Sequence, residues 1–97
     1  MVETTVIVER VSKALGVPPD ELVRRGVEEF LEAQLRACFA EVREIEARYE
    51  VKGAGELEEK IRRGVIEEHP AWEDLIVLEN LEERAEKILK ELKVLKP

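Results

Sequence analysis

Five side chains with oxygen or nitrogen donors fall within eight residues: Glu67, Glu68, His69, Glu73 and Asp74. Hard carboxylate oxygens with one imidazole could hold a divalent cation. The same residues also suit the start of a helix, where acidic groups face the positive end of the helix dipole and His69 occupies a capping position. Capping is the expected use. The pairs Glu29/Glu32, Glu41/Glu44, Glu79/Glu82 and Glu83/Glu86 place carboxylates three apart, the spacing with which helical pyrophosphatases hold magnesium around a nucleotide. With 21 glutamates in 97 residues such pairs arise by chance, and Arg or Lys one turn away marks a solvated face. No Glu-x-x-His pair occurs, which a di-iron bundle requires. Cys38 falls on an apolar stripe and reads as a small core residue. Ser12, the single serine, stands in no serine–histidine–acid or phosphate-loop pattern. No catalytic, cofactor-binding or metal-ligating residue is therefore expected.

The elements that would position these groups follow from composition and periodicity. A chain of this length makes one domain, 1–97, with an N-terminal segment (1–17) ahead of a helical hairpin (18–97). Its aromatic residues are Phe30, Phe39, Tyr49 and Trp72 alone, so the core must be mostly Leu, Ile, Val and Ala. Acids outnumber bases 23 to 16, for a formal net charge of −7, which disfavours a general phosphate-binding surface. One cysteine and one histidine exclude a disulfide framework and an all-Cys/His zinc site within one chain. No apolar run is long enough for a membrane span, and Met1 to Val8 lacks the pattern of a signal peptide, so a soluble, cytoplasmic protein is expected. Scarce Asn, Gln, Cys and Met beside abundant Glu, Arg and Lys is a balance seen in thermophile proteins.

Thr4-Thr5-Val6-Ile7-Val8 is β-branched throughout, which favours a short strand or extended segment, or the frayed entry to a helix beginning near Val8. Glu9 to Leu15 reads as a short helix stopped by Gly16. Pro18 and Pro19, followed by Asp20 and Glu21, open a long helix over about 19–50, whose apolar residues recur at steps of three and four from Val23 through Leu31, Leu35, Cys38, Val42 and Ile45 to Tyr49. Gly26 inside it suggests either close approach by another backbone or a surface position. Val51-Lys52-Gly53-Ala54-Gly55 is the plainest break, and Glu56 to Arg63 forms a short helix. A second long helix, about 70–95, carries two heptad rows, Leu78-Ala85-Leu92 and Leu81-Ile88-Leu95. The fold class is all-α: a long helical hairpin joined by a short helix. A rod of roughly 45–50 Å cannot bury its stripe on a small globule. The extra apolar shoulders Phe30, Phe39, Leu75 and Leu89 are therefore expected to dimerise the hairpin into a helical bundle.

Two stretches carry a family resemblance. Gly16-Val17-Pro18-Pro19-Asp20-Glu21-Leu22-Val23-Arg24-Arg25-Gly26-Val27-Glu28-Glu29-Phe30-Leu31 resembles the second helix of ribbon-helix-helix repressors and antitoxins, with Thr4 to Val8 in the place of the ribbon. The segment Glu9 to Leu15 is shorter than that fold's first helix, and the ribbon has no basic side chains for a major groove. A helix-turn-helix centred on Gly16, with Ser12 before the turn, is an equal alternative. Gly64-Val65-Ile66-Glu67-Glu68-His69-Pro70-Ala71-Trp72-Glu73-Asp74-Leu75-Ile76, followed by Glu79-Asn80-Leu81-Glu82, is similar to a small uncharacterised group of archaeal proteins, some of them suspected antitoxin partners of small toxins. That resemblance implies a partner-binding role.

Three functions are in play. The first is a non-enzymatic helical protein–protein interaction module, antitoxin-like, whose acidity steers it to a basic protein such as a toxin and whose large anchors are Phe30, Phe39, Tyr49 and Trp72. The second is a DNA-binding regulator using Arg10, Lys13, Arg24 and Arg25 on phosphates, although residues 1–40 carry seven acids against five bases. The third is a magnesium-dependent helical nucleotide hydrolase. A homodimer is expected whichever of the three holds, because two long stripes with extra apolar shoulders bury more in a four-helix bundle.

Overall fold

A computed structural model describes residues 2–96. Four helices follow one another: α1 (Thr4–Leu15), α2 (Pro19–Tyr49), α3 (Gly53–Arg62) and α4 (Glu68–Leu95). No strand occurs among the described residues.

The two long helices run antiparallel. Arg48 meets Asp74, Gln34 meets Arg84, and Arg24 reaches the carbonyl of Leu95, so numbers rise along α2 as they fall along α4. Periodicity determines which faces meet. On α2 the steps from Leu31 through Leu35, Cys38, Val42 and Ile45 turn one stripe inward, and Ala71, Leu75, Leu78, Ala85, Ile88 and Leu92 answer it from α4. The heptad rows of α4 thus form the hairpin seam. The break at Val51 to Gly55 lets the chain turn and lay α3 across the closed end, where Ala54, Leu57 and Ile61, at helical spacing, are all buried. Here three helices share a core around the fully buried Leu57 and Leu78. Farther along, only two helices remain around Cys38, Ala85 and Ile88.

The N-terminal segment corrects an expectation. Thr4 to Val8 is neither strand nor extended chain but the opening of α1, and the ribbon of the ribbon-helix-helix resemblance is absent. β-Branching lowers helix propensity by only a few tenths of a kcal/mol per residue, whereas Val8, Val11 and Ser12, spaced by three and four, share a half-buried face. Among the described residues, α1 packs on α2 alone. It ends at Gly16 in the left-handed conformation (φ 67°), and the Ser12 hydroxyl donates to the Val17 carbonyl across the turn. The helix–turn–helix connection centred on Gly16 is therefore present, but its second helix runs on for 31 residues.

The second correction concerns the start of α4. His69 has extended backbone angles (φ −114°, ψ 125°), so the regular rod begins at Pro70. His69 thus stands at the capping position of the rod, but its side chain is turned to Glu73, with Nδ1 3.2 Å from Oε1, and the Glu67 side chain makes no capping hydrogen bond either.

The molecule measures 60 × 33 × 17 Å, with a radius of gyration of 19.3 Å. A compact chain of this length would have about 12.5 Å. Burial is concentrated at the closed end. α1 contains no fully buried residue, and α2 contributes none before Cys38.

Candidate partner-binding surfaces

Two polar clusters fix the closed end and so set the geometry of what it displays. In the first, Asp74 of α4 turns inward, accepting hydrogen bonds from the Tyr49 hydroxyl and, at 2.9 Å, from Arg48 Nη1. The Tyr49 bond, reinforced by Arg48 against partial desolvation, holds the Asp74 carboxyl below its usual range. Desolvation, followed by the bond to Asp74, pushes the Tyr49 hydroxyl up. An acid whose folded pKa lies below its unfolded value adds stability above the unfolded value and loses it as pH falls through the folded one. Tyr49→Phe is therefore expected to cost about 0.5–1 kcal/mol at neutral pH. In urea titrations its gap to wild type should narrow as pH falls below 3.8, the ordinary value for this carboxyl. A gap independent of pH would refute the role given to Asp74.

In the second cluster, α3 has no cap from its own Lys52 side chain. Carboxylates from both long helices serve instead: Glu46 accepts the Gly53 N–H at 2.8 Å and Glu82 accepts the Ala54 N–H at 2.9 Å. Sequence reading missed Glu46 and took Glu82 for part of a solvated pair. Their partners lie 7 and 28 residues away, beyond any local capping pattern. Among the described residues no group of three His, Cys, Asp or Glu side chains converges as a metal site. The acidic run at 67–74 is split, with Asp74 facing α2 and the exposed His69/Glu73 pair facing outward.

The expected anchors scatter. Leu75, read as an apolar shoulder, is 2% exposed and belongs to the closed-end core, a correction that removes it from any partner surface. Tyr49 is half-buried and committed to Asp74. Phe39 and Leu89 are exposed on the middle stretch of the hairpin. Trp72 (40% exposed) lies on the outer face of α4 with Ile76 (56%); helical spacing places Glu79 and Glu83 on the same face and Glu73, about 100° round from Trp72, at its edge. This is an apolar strip in an acidic frame.

Phe30, 60% exposed, lines a groove of about 210 Å³ between α2 and α4, with Leu31 and Ile88 on the floor and Gln34, Arg84, Lys87 and Glu91 around it. A second cleft of about 350 Å³ lies between α1 and the first turns of α2, bounded by Val8 and Val23 with Glu9 and Asp20 at its edge. Val23, Val27 and Phe30, spaced by four and three, connect the two along α2, and all three are exposed.

The basic set is divided between two helices. Arg10 and Lys13 are exposed on α1. Arg24 donates to the Leu95 carbonyl at 2.7 Å and sits 3.4 Å from Glu28, while Arg25 pairs with Glu21 at 2.7 Å. As neighbours in sequence, Arg24 and Arg25 point about 100° apart around the helix. Cys38 is buried in the seam. No described helix is long and apolar enough to cross a membrane.

The model of the Uncharacterized protein MJ0235 family matches residues 1–96. No curated protein and no solved structure matches the chain.

Proposed function

Since the chain belongs to that family over nearly its whole length, we propose that it is a non-enzymatic helical protein–protein interaction module of the cytoplasm, antitoxin-like, acting as a homodimer that binds a basic protein partner. The observation that carries this reading is the outer face of α4, where Trp72 and Ile76 stand exposed among Glu73, Glu79 and Glu83. An amphipathic strip held on a rigid helix suits docking into an apolar groove, and Trp is a residue type on which binding energy concentrates. The net charge of −7 favours encounter with a cationic partner. Rigidity comes from behind the strip, where Ala71, Leu75 and Leu78 lock this stretch of α4 onto α2 and α3.

The test is co-expression with the product of the adjacent gene, followed by light scattering coupled to size exclusion. A stable mixed complex is expected, weakened at least tenfold by Trp72→Ala while circular dichroism stays helical. No mixed complex, or one indifferent to Trp72→Ala, would remove this surface from the account.

A further inference from the structure

The open end of the hairpin carries the surface that the single chain leaves uncovered. Its accessible area is 7418 Å², about 1,700 Å² more than a folded monomer of 11.2 kDa presents. A stable protein interface needs about 800 Å² from each partner, and obligate dimers use more. The excess is apolar where it is most continuous: Ile7 on α1 and Val23, Val27 and Phe30 on α2 are all exposed.

The two hollows at this end are complementary to each other. One has a protruding Phe30 beside it and the cations Arg84 and Lys87 at its edge, with Glu91 the one acid. The other is a cleft lined by Val8, Val23 and Pro19 with the methyl-bearing Thr4 and Thr5, and by the anions Glu9 and Asp20. They are joined along α2 by Val27, and a Cβ added at the neighbouring Gly26 would meet no other part of the chain within 4 Å. A two-fold axis passing by Gly26 and Val27 would bring Val23 of one copy opposite Phe30 of the other, twice over. Such a self-complementary patch is what an isologous contact requires.

We infer that a second copy of this chain covers the open end, with the two α2 helices crossing antiparallel at Gly26/Val27 and Phe30 of each copy seated in the α1–α2 cleft of the other. The edges then match in charge, Lys87 and Arg84 of one copy facing Glu9 and Asp20 of its partner. The intrachain pair that Lys87 makes with Glu83 is exposed on both sides, so exchanging it costs little. A glycine at the crossing lets the two backbones approach, which accounts for a residue otherwise unfavourable inside a helix. This inference rests on the self-association in the reading above and adds the face and register; it does not depend on the partner surface at Trp72.

Light scattering on the full chain at tens of micromolar should give twice the 11.2 kDa chain mass. Phe30→Asp should return it to the monomer with helicity intact, since Phe30 lies outside both buried clusters. Lys87→Glu and Glu9→Lys should each weaken the dimer at least tenfold, and the two together should recover most of the loss. In a Cys38→Ala background, Val27→Cys should cross-link copies on oxidation. A wild-type monomer would overturn both self-association and this interface. A dimer indifferent to Phe30→Asp, without charge-swap rescue or cross-linking, would overturn the interface while leaving self-association standing.

Discussion

Leu57→Ala is expected to cost about 3–4 kcal/mol, because a fully buried leucine gives up both its transfer free energy and the cavity that its neighbours cannot close. Leu57 belongs to the three-helix core that includes Ile45, Leu75 and Leu78, so collapse around the void would have to move both long helices as well as α3. A chain of this length has a total stability of about 5–10 kcal/mol. Losing a third or more of it should appear in urea unfolding as a clear fall in midpoint with little change in slope. The comparison is Leu92→Ala in the two-helix part of the seam, where Leu92 is only partly buried. There the site opens to solvent, and about 1–2 kcal/mol is expected. A smaller loss at Leu57 than at Leu92 would place the stability of the fold at the wrong end.

Gly53→Ala should be the second most damaging of these changes, at about 2–3 kcal/mol, for two reasons that act together. Gly53 has φ 80°, where a Cβ costs about 1–2 kcal/mol. The added atom would also stand 3.3 Å from Glu82 Oε2, the oxygen that accepts the Ala54 N–H. The carboxylate can yield, but only by loosening its hold on α3. Glu82→Ala removes that bond and the crowding at once, at a cost of about 1 kcal/mol. The double variant should therefore be less destabilised than the sum of the two single ones. Strict additivity, measured by the same urea titrations, would mean that the added Cβ does not disturb Glu82, and a Glu82→Ala variant as stable as wild type would mean that Glu82 does not cap α3.

What could be read from the sequence, and what could not, follows from the range of the interactions. The hairpin was legible because α2 and α4 each bury one stripe, and a stripe repeats locally. The glycine turns were legible for a similar reason. The N-terminus misled because five β-branched residues favour extension in isolation, while the face of Val8, Val11 and Ser12 toward α2 decides in context. Leu75 was misplaced by a small error of phase: it lies next to Ile76, and the boundary between buried and exposed runs between them. Glu46, Glu82 and the Tyr49–Asp74 bond were hidden because nothing in local spacing tells a capping glutamate from its solvated neighbours. Trp72 was picked out by residue type, but its standing on an acidic outer face emerged only with the helix packing.

In the proposed dimer one end of each hairpin is complete in the single chain and the other is completed by the second copy. Amide hydrogen exchange followed at several protein concentrations tests this directly. Amides of the closed-end core, at Ile45, Leu57, Ile61, Leu75 and Leu78, should be strongly protected at every concentration, because their burial is internal. Amides in α1 and in α2 up to Phe30 should exchange quickly at high dilution and become protected as concentration rises through the association range. Protection of α1 and the first half of α2 that does not change with concentration, whether uniformly high or uniformly absent, would contradict it.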